Sequence, residues 1–263
     1  MTRVAVLCGL GLHCHTEALA AYREVGAAAE LVEATALIAG TLALTSYDLV
    51  HFSGGFSFGD VGGAGQQLAE QLRSGPGWPV LRAWLEQGGR AVGVCNGMQI
   101  LTAAGLLPNL AGTYTPEVAL EANVGGLFVD RWVRCRWQPP GTPLHYLELP
   151  VRHAEGRVVP FTPEIALQIE ALGLPTLRYV DHLDEPSEAP PHNPAGSPMA
   201  VAGLLSANGR VLGLMPHPEA AMSPFQHPAW PQRQRWGDLP EFGDGATVLR
   251  WLVGPFVEEG KDV

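Results

Sequence analysis

Arg90-Ala91-Val92-Gly93-Val94-Cys95-Asn96-Gly97-Met98-Gln99-Ile100-Leu101-Thr102-Ala103-Ala104-Gly105 is the stretch on which the fold reading turns. Arg90 to Val94 reads as a short buried strand, Cys95-Asn96-Gly97 breaks it, and Met98 to Ala104 has helical spacing up to its stop at Gly105. The same grammar recurs on the N-terminal side. Val4 to Cys8 is an apolar run that meets Gly9 and Gly11, and a helix is expected from Thr16 to about Val25. Leu49 to Phe52 stops at Ser53-Gly54-Gly55, and Gln66 to Arg73 and Val80 to Gln87 have helical spacing on either side of Gly75-Pro76-Gly77. Strands that alternate with helices imply an α/β fold with a doubly wound, mostly parallel sheet.

Further along, the pattern changes. Phe128 to Val159 alternates polar and apolar residues between turn signals, which predicts antiparallel strands added to the sheet. Glu185 to Pro198 holds five prolines and is expected to be an exposed loop. Ala200 to Leu205, Asn208-Gly209 and Val211 to Met215 predict a hairpin. Ser223 to Pro240 has no clear periodicity, and Thr247 to Val257 reads as a closing helix interrupted at Gly254-Pro255. At 263 residues the chain is expected to form a single domain, 1–263.

With 46% apolar and 16% charged residues, a substantial core is available and wholesale disorder is excluded. The net charge of −10, without a Lys/Arg-rich window, argues against nucleic acid or an anionic membrane as partner. Four scattered cysteines make neither a disulfide framework nor a CxxC zinc motif, and no secretory signal or apolar membrane span is evident, so a cytoplasmic location is expected.

Gly93-Val94-Cys95-Asn96-Gly97 has the form Gly-x-nucleophile-x-Gly between strand and helix. Small residues let the backbone turn sharply and project the thiol, and the helix N-terminus favours a thiolate. The alternative is a buried core cysteine in a glycine-rich turn. His217, in Met215-Pro216-His217-Pro218-Glu219, is the best candidate base of nine histidines. In an extended segment residues two apart share a side, so Glu219 can hold one ring nitrogen while the other faces a thiol. Ser53-Gly54-Gly55-Phe56 and Asn96 offer backbone amides for an oxyanion. His13-Cys14-His15 resembles a metal cluster by composition, but in an extended chain Cys14 points away from both histidines, and no metal is expected.

These residues resemble the class I, triad-type glutamine amidotransferases, and within them the glutaminase subunits of phosphoribosylformylglycinamidine synthase. The likeness is carried by Gly11-Leu12-His13-Cys14, Ser53-Gly54-Gly55-Phe56-Ser57-Phe58-Gly59-Asp60, Gly93 to Leu101 with Gly105-Leu106-Leu107-Pro108, Leu149 to Gly156, Asn193-Pro194 and Gly213 to Glu219. It implies a flavodoxin-like fold with an added antiparallel segment. It also implies Cys95 as nucleophile, His217 as general base and acid, and Glu219 as orienter. Gly54, Gly55, Phe56, Asn96, Gln99, Asn123 and Phe128 would line the glutamine site, with Gly55 and Asn96 giving the oxyanion amides. The implied partner is the large synthetase subunit, with a small accessory subunit, and ATP and magnesium belong to that partner, leaving no cofactor in this chain. The sequence departs from the family at His13, at Val61-Gly62-Gly63, at Gly125 and Leu127 beside Asn123, and at Ala220, but not in the triad. The alternatives are a free-standing cysteine amidohydrolase, a glutaminase serving another synthetase, and a non-enzymatic regulatory subunit.

Overall fold

The computed structural model describes residues 1–254. Its main sheet begins with β1 (Arg3–Cys8), which α1 (His15–Glu24) connects to β2 (Ala28–Glu33); α2 (Ala34–Ile38) then leads to β3 (Leu49–Phe52). The pair α3 (Gln66–Ser74) and α4 (Gly77–Glu86) leads to β4 (Arg90–Val94), and α5 (Asn96–Ala103) follows directly. After these come β5 (Val118–Glu121), β6 (Val129–Trp137), β7 (His145–His153), β8 (Arg157–Pro160), α6 (Pro163–Ala171), β9 (Leu177–Tyr179), β10 (Val201–Leu205) and β11 (Val211–Leu214). Two helices, α7 (Trp230–Trp236) and α8 (Gly245–Val253), close the described chain; the expected helix end at Val257 lies outside the described residues.

The sheet order is β2-β1-β3-β4-β11-β10-β9-β6-β7. The first five strands pair in parallel and the remaining pairings are antiparallel. Parallel strands covered on both faces must be apolar throughout, and β1 obeys this. Val4 and Val6 join Ala18, Tyr22, Leu249 and Leu252 of α1 and α8 on one face. Ala5 and Leu7 join Leu68, Leu81, Met98 and Leu101 of α3, α4 and α5 on the other. Burying each such large apolar side chain stabilises the fold by about 1.5–3 kcal/mol.

The doubly wound expectation holds, and β6 and β7 extend the sheet antiparallel as the alternating sequence predicts. β8 instead leaves the main sheet to pair with β5. The hairpin forms between β10 and β11, with Gly209 left-handed. Part of the expected exposed loop is overturned: Asn193, Ala195 and Ser197 are fully buried. The Asn193 amide accepts from Gly196 N at 2.8 Å and donates to Ser197 O at 2.9 Å. Ser197 Oγ donates to Gly156 O at 3.2 Å and accepts from Val158 N at 3.1 Å. Polar side chains thus satisfy a backbone that would otherwise need water. The unpatterned segment after Ser223 contains a further helix, α7, without a buried residue.

Candidate active site

The carboxyl ends of β1, β3, β4 and β11 converge at the point where strand order reverses, the usual place for a ligand in such sheets. Cys95 stands there between β4 and α5 with φ 53° and ψ −108°, a sparsely populated conformation. Gly97 makes the turn possible, since a Cβ there would lie 1.9 Å from Phe52 O. Cys95 N donates to Leu214 O at 2.7 Å, tying the elbow to β11. Its side chain, in a residue only 5% exposed, reaches Arg152 O at 3.5 Å.

His217 follows β11 and its backbone N donates to Pro150 O at 2.8 Å. The residue is 1% exposed and its Nδ1 lies 2.6 Å from Glu219 Oε1, itself buried. His217 and Glu219 do meet, but through a 3-10 turn over Pro218–Ala220 and not through the extended backbone expected of the proline-flanked segment. His217 Nε2 has no hydrogen-bond partner at acceptable geometry; catalytic hydrogen bonds commonly tighten only when substrate binds. Burial opposes charge on the imidazole, but Glu219, Cys95 and Cys14 outweigh it and hold its pKa well above the ordinary histidine value. Glu219 is likewise pushed up by burial and pulled further down by His217, ending below the usual carboxylate range. The proton therefore rests on the imidazole, beside the Glu219 carboxylate.

The other expected residues surround this centre in different ways. Gly55 (φ 150°) packs so closely that a Cβ would lie 2.3 Å from Gly11 O. Gly54 O accepts from His13 N at 2.8 Å and Cys14 N at 3.0 Å, which brings the loop after β1 against the loop after β3. Asn96 begins α5, where the first helical amides lack intrahelical acceptors. Its side chain accepts from Ser57 N at 3.0 Å and donates to Gln99 Oε1 at 2.9 Å. Gln99 Nε2 donates in turn to Glu155 O at 2.5 Å. Asn123 is occupied on both ends, by Leu127 O and His153 O on its nitrogen and by His153 Nδ1 and Gly156 N on its oxygen. It ties the segment before β6 to the end of β7. Phe56 and Phe128, both about half exposed, lie with ring centroids 6.4 Å apart.

Three residues at the site escape the sequence reading. Cys14 does not lie in the extended segment expected: with φ −79° and ψ 13° it caps α1, which His15 opens, and its sulfur comes within 4.8 Å of His217 and Glu219 ligand atoms. His15 instead meets Leu12 O through Nδ1 at 2.8 Å. His51, on β3, is buried and its Nδ1 lies 3.1 Å from Tyr22 Oη on α1. Both feel the charge of Glu219. A histidine inside the strand Leu49-Val50-His51-Phe52, where both faces should be apolar, was the available signal.

Burial lowers the His51 pKa to about 4. Below the ordinary value of ~6.5 the unfolded chain takes up a proton that the folded chain refuses, so stability from this group is lost as pH falls from there to about 4. His51→Gln should therefore remove up to about 3 kcal/mol of acid destabilisation across that window. Urea unfolding at several pH values checks it, and an unchanged slope would show that His51 is not held neutral.

Sequence comparison agrees with the geometry. The CobB/CobQ-like glutamine amidotransferase domain matches residues 1–246, and the chain belongs to that family. Similar proteins include the phosphoribosylformylglycinamidine synthase subunit PurQ of Dehalococcoides mccartyi, 33% identical over 244 residues and 91% of each chain. That of Thermus thermophilus is 37% identical over 219 residues, 81% of this chain and 86% of its own. Human phosphoribosylformylglycinamidine synthase is 34% identical over 95% of this chain, which corresponds to 19% of the human protein. The structure of PurLQS from Thermotoga maritima matches with a TM-score of 0.67 and 25% identity, covering 96% of this chain and 99% of that one. Within its family the chain is a PurQ-type subunit.

Proposed function

We propose that this chain is the glutaminase subunit of phosphoribosylformylglycinamidine synthase, supplying ammonia for the amidation of formylglycinamide ribonucleotide in purine biosynthesis. The observation that carries the chemistry is the buried His217, held by Glu219 at 2.6 Å on one nitrogen and flanked by the Cys95 thiol at a helix N-terminus. Cys95 thiolate attacks the side-chain amide carbon of glutamine, and the amides of Gly55 and Asn96 receive the oxyanion. His217 gives its proton to the departing nitrogen, which leaves as ammonia. The neutral imidazole then takes a proton from the water that attacks the γ-glutamyl thioester, and glutamate leaves with the thiol restored. ATP and magnesium act on the partner synthetase, in the cytoplasm; this chain needs neither for its own step. Among the described residues no helix is long and apolar enough to cross a membrane.

Ammonia released without an acceptor becomes unreactive ammonium, so the hydrolysis should be quiet until the synthetase docks. A route for that control runs through α7. Trp236 is 67% exposed there, and Phe225 packs edge-on against Trp230 beside it at 5.5 Å. Arg233 of α7 and His227 both bind Glu148 on β7, the latter at 2.9 Å, and two residues on Pro150 holds the His217 backbone. Exposed Trp, Phe and Arg are residue types that anchor interfaces. Low ammonia release from glutamine by the chain alone, raised at least tenfold by the synthetase and its nucleotide substrates, is the expected result. Trp236→Ala or Trp230→Ala should weaken that stimulation. Full activity of the isolated chain, indifferent to any synthetase, would favour a free-standing amidohydrolase.

A further inference from the structure

We propose that Asp60 and Glu155, together with the Ser57 hydroxyl, receive the α-ammonium group of glutamine and so select an amino acid over a simple amide. The proposal deepens the glutaminase reading and rests on it. Asn96, next in the chain to Cys95, approaches Asp60 Oδ1 through Nδ2 at 3.4 Å, while its Oδ1 accepts from Ser57 N at 3.0 Å. Further along α5, Gln99 Nε2 donates to the backbone O of Glu155. The Glu155 side chain then crosses to the turn that carries Asp60: its Oε2 accepts from Ala64 N at 3.0 Å, and Gly63 N donates to Asp60 O at 3.0 Å. Two negative groups are thus fastened to one turn beside the start of α5.

Among the described residues neither carboxylate forms an ion pair. Ser57, in the same turn, is 2% exposed and its Oγ has no hydrogen-bond partner. A buried hydroxyl left in that state is costly, and a bound donor removes the cost. An ammonium group carries three N–H donors, one for each of these acceptors. Extended glutamine sets its α-nitrogen about 5 Å from its amide carbon, so a molecule attacked at Cys95 reaches the surroundings of Asn96, where Asp60 stands. A bare divalent cation fits less well, because Asn96 and Ala64 already point N–H donors at one oxygen of each carboxylate.

The electrostatics agree with that placement. Burial and the charge of Glu155 push the Asp60 carboxyl up to about 6, and a cation lodged beside both groups relieves the strain between them. An amide without an α-amino group leaves the two carboxylates unpaired and is rejected for that reason. The contact is made far from the bond that breaks, so it acts on KM more than on kcat.

The test uses the full chain reconstituted with its synthetase and compares ammonia release from L-glutamine and from glutaramate, which keeps the amide and the carboxylate but lacks the α-amino group. The wild type should prefer glutamine by about 100-fold or more in kcat/KM. Asp60→Asn should raise the KM for glutamine more than about tenfold, with a smaller change in kcat and little penalty on glutaramate, so that the preference collapses; Glu155→Gln should act in the same direction. Asparagine tolerates the φ of 56° at this position, so the fold should survive. A merely structural role would lower the turnover of both amides alike. Should a variant misfold by circular dichroism, the wild type answers through pH. Protonation of Asp60 weakens its hold on the ammonium, so the ratio of the two kcat/KM values should fall as pH drops through about 6. The triad's own titration is common to both amides and cancels in that ratio. No ammonia from either amide would sink the glutaminase reading and this proposal with it. Turnover of glutamine with a preference unmoved in the folded variants, or with a ratio flat across that pH range, would overturn the ammonium site alone.

Discussion

Cys95→Ala is expected to abolish glutamine-dependent synthesis by the reconstituted synthase, a loss of about 10³-fold or more, while synthesis from added ammonia continues. The asymmetry follows from the division of labour: the thiol makes ammonia, and ammonia supplied from outside bypasses it. The variant should also fold. Alanine carries the same backbone restrictions at φ 53° as cysteine, and the Gly97 approach that shapes the elbow is untouched. Comparing the two nitrogen sources in one preparation separates lost chemistry from lost assembly. Glutamine-dependent turnover surviving in the alanine variant would remove Cys95 from the role of nucleophile.

Glu219→Gln is expected to cost less, about 10²–10⁴-fold in glutamine-dependent turnover, because the nucleophile and oxyanion amides remain. Its sharper signature is in the pH profile. In the wild type, burial pulls the His217 pKa down and Glu219 with Cys95 and Cys14 pulls it up further, so the imidazolium persists well above the ordinary range. Without the Glu219 charge, burial gains the upper hand and the imidazolium loses its proton at lower pH. The alkaline limb of kcat/KM should then move toward lower pH in the variant. An alkaline limb left in place would mean that Glu219 does not control the charge of His217.

The repeated strand-turn-helix grammar around Val4 to Cys8, Leu49 to Phe52 and Arg90 to Val94 was legible because strands buried on both faces must be apolar throughout. β2 escaped it: Ala-Ala-Glu-Leu-Val-Glu lies at the sheet edge, where one side is open and charge is tolerated. The meeting of His217 with Glu219 and the elbow at Cys95 could be read from local motifs, although the His217–Glu219 contact runs through a 3-10 turn and not an extended segment. Cys14 and His51 could not, because their roles arise where separate strands end side by side. The buried half of the loop after Glu185 was hidden for a similar reason: its prolines announce a turn, whereas the bonds of Asn193 and Ser197 that bury it involve backbone groups the sequence does not mark.

The β7 strand carries a consequence for attempts to shrink this protein. Pro150 O holds the backbone of His217, and Arg152 O, two residues along the same strand edge, receives the Cys95 thiol. One rigid ribbon therefore works as a caliper across the reacting pair, although it sits at the far end of the sheet order and outside the parallel half. A minimal version rebuilt from the five parallel strands and their helices would keep the elbow and lose the gauge that sets its distance from the histidine. With Cys95 and His217 in the roles proposed above, trimming or grafting the added strands is a change of chemistry before it is a change of size.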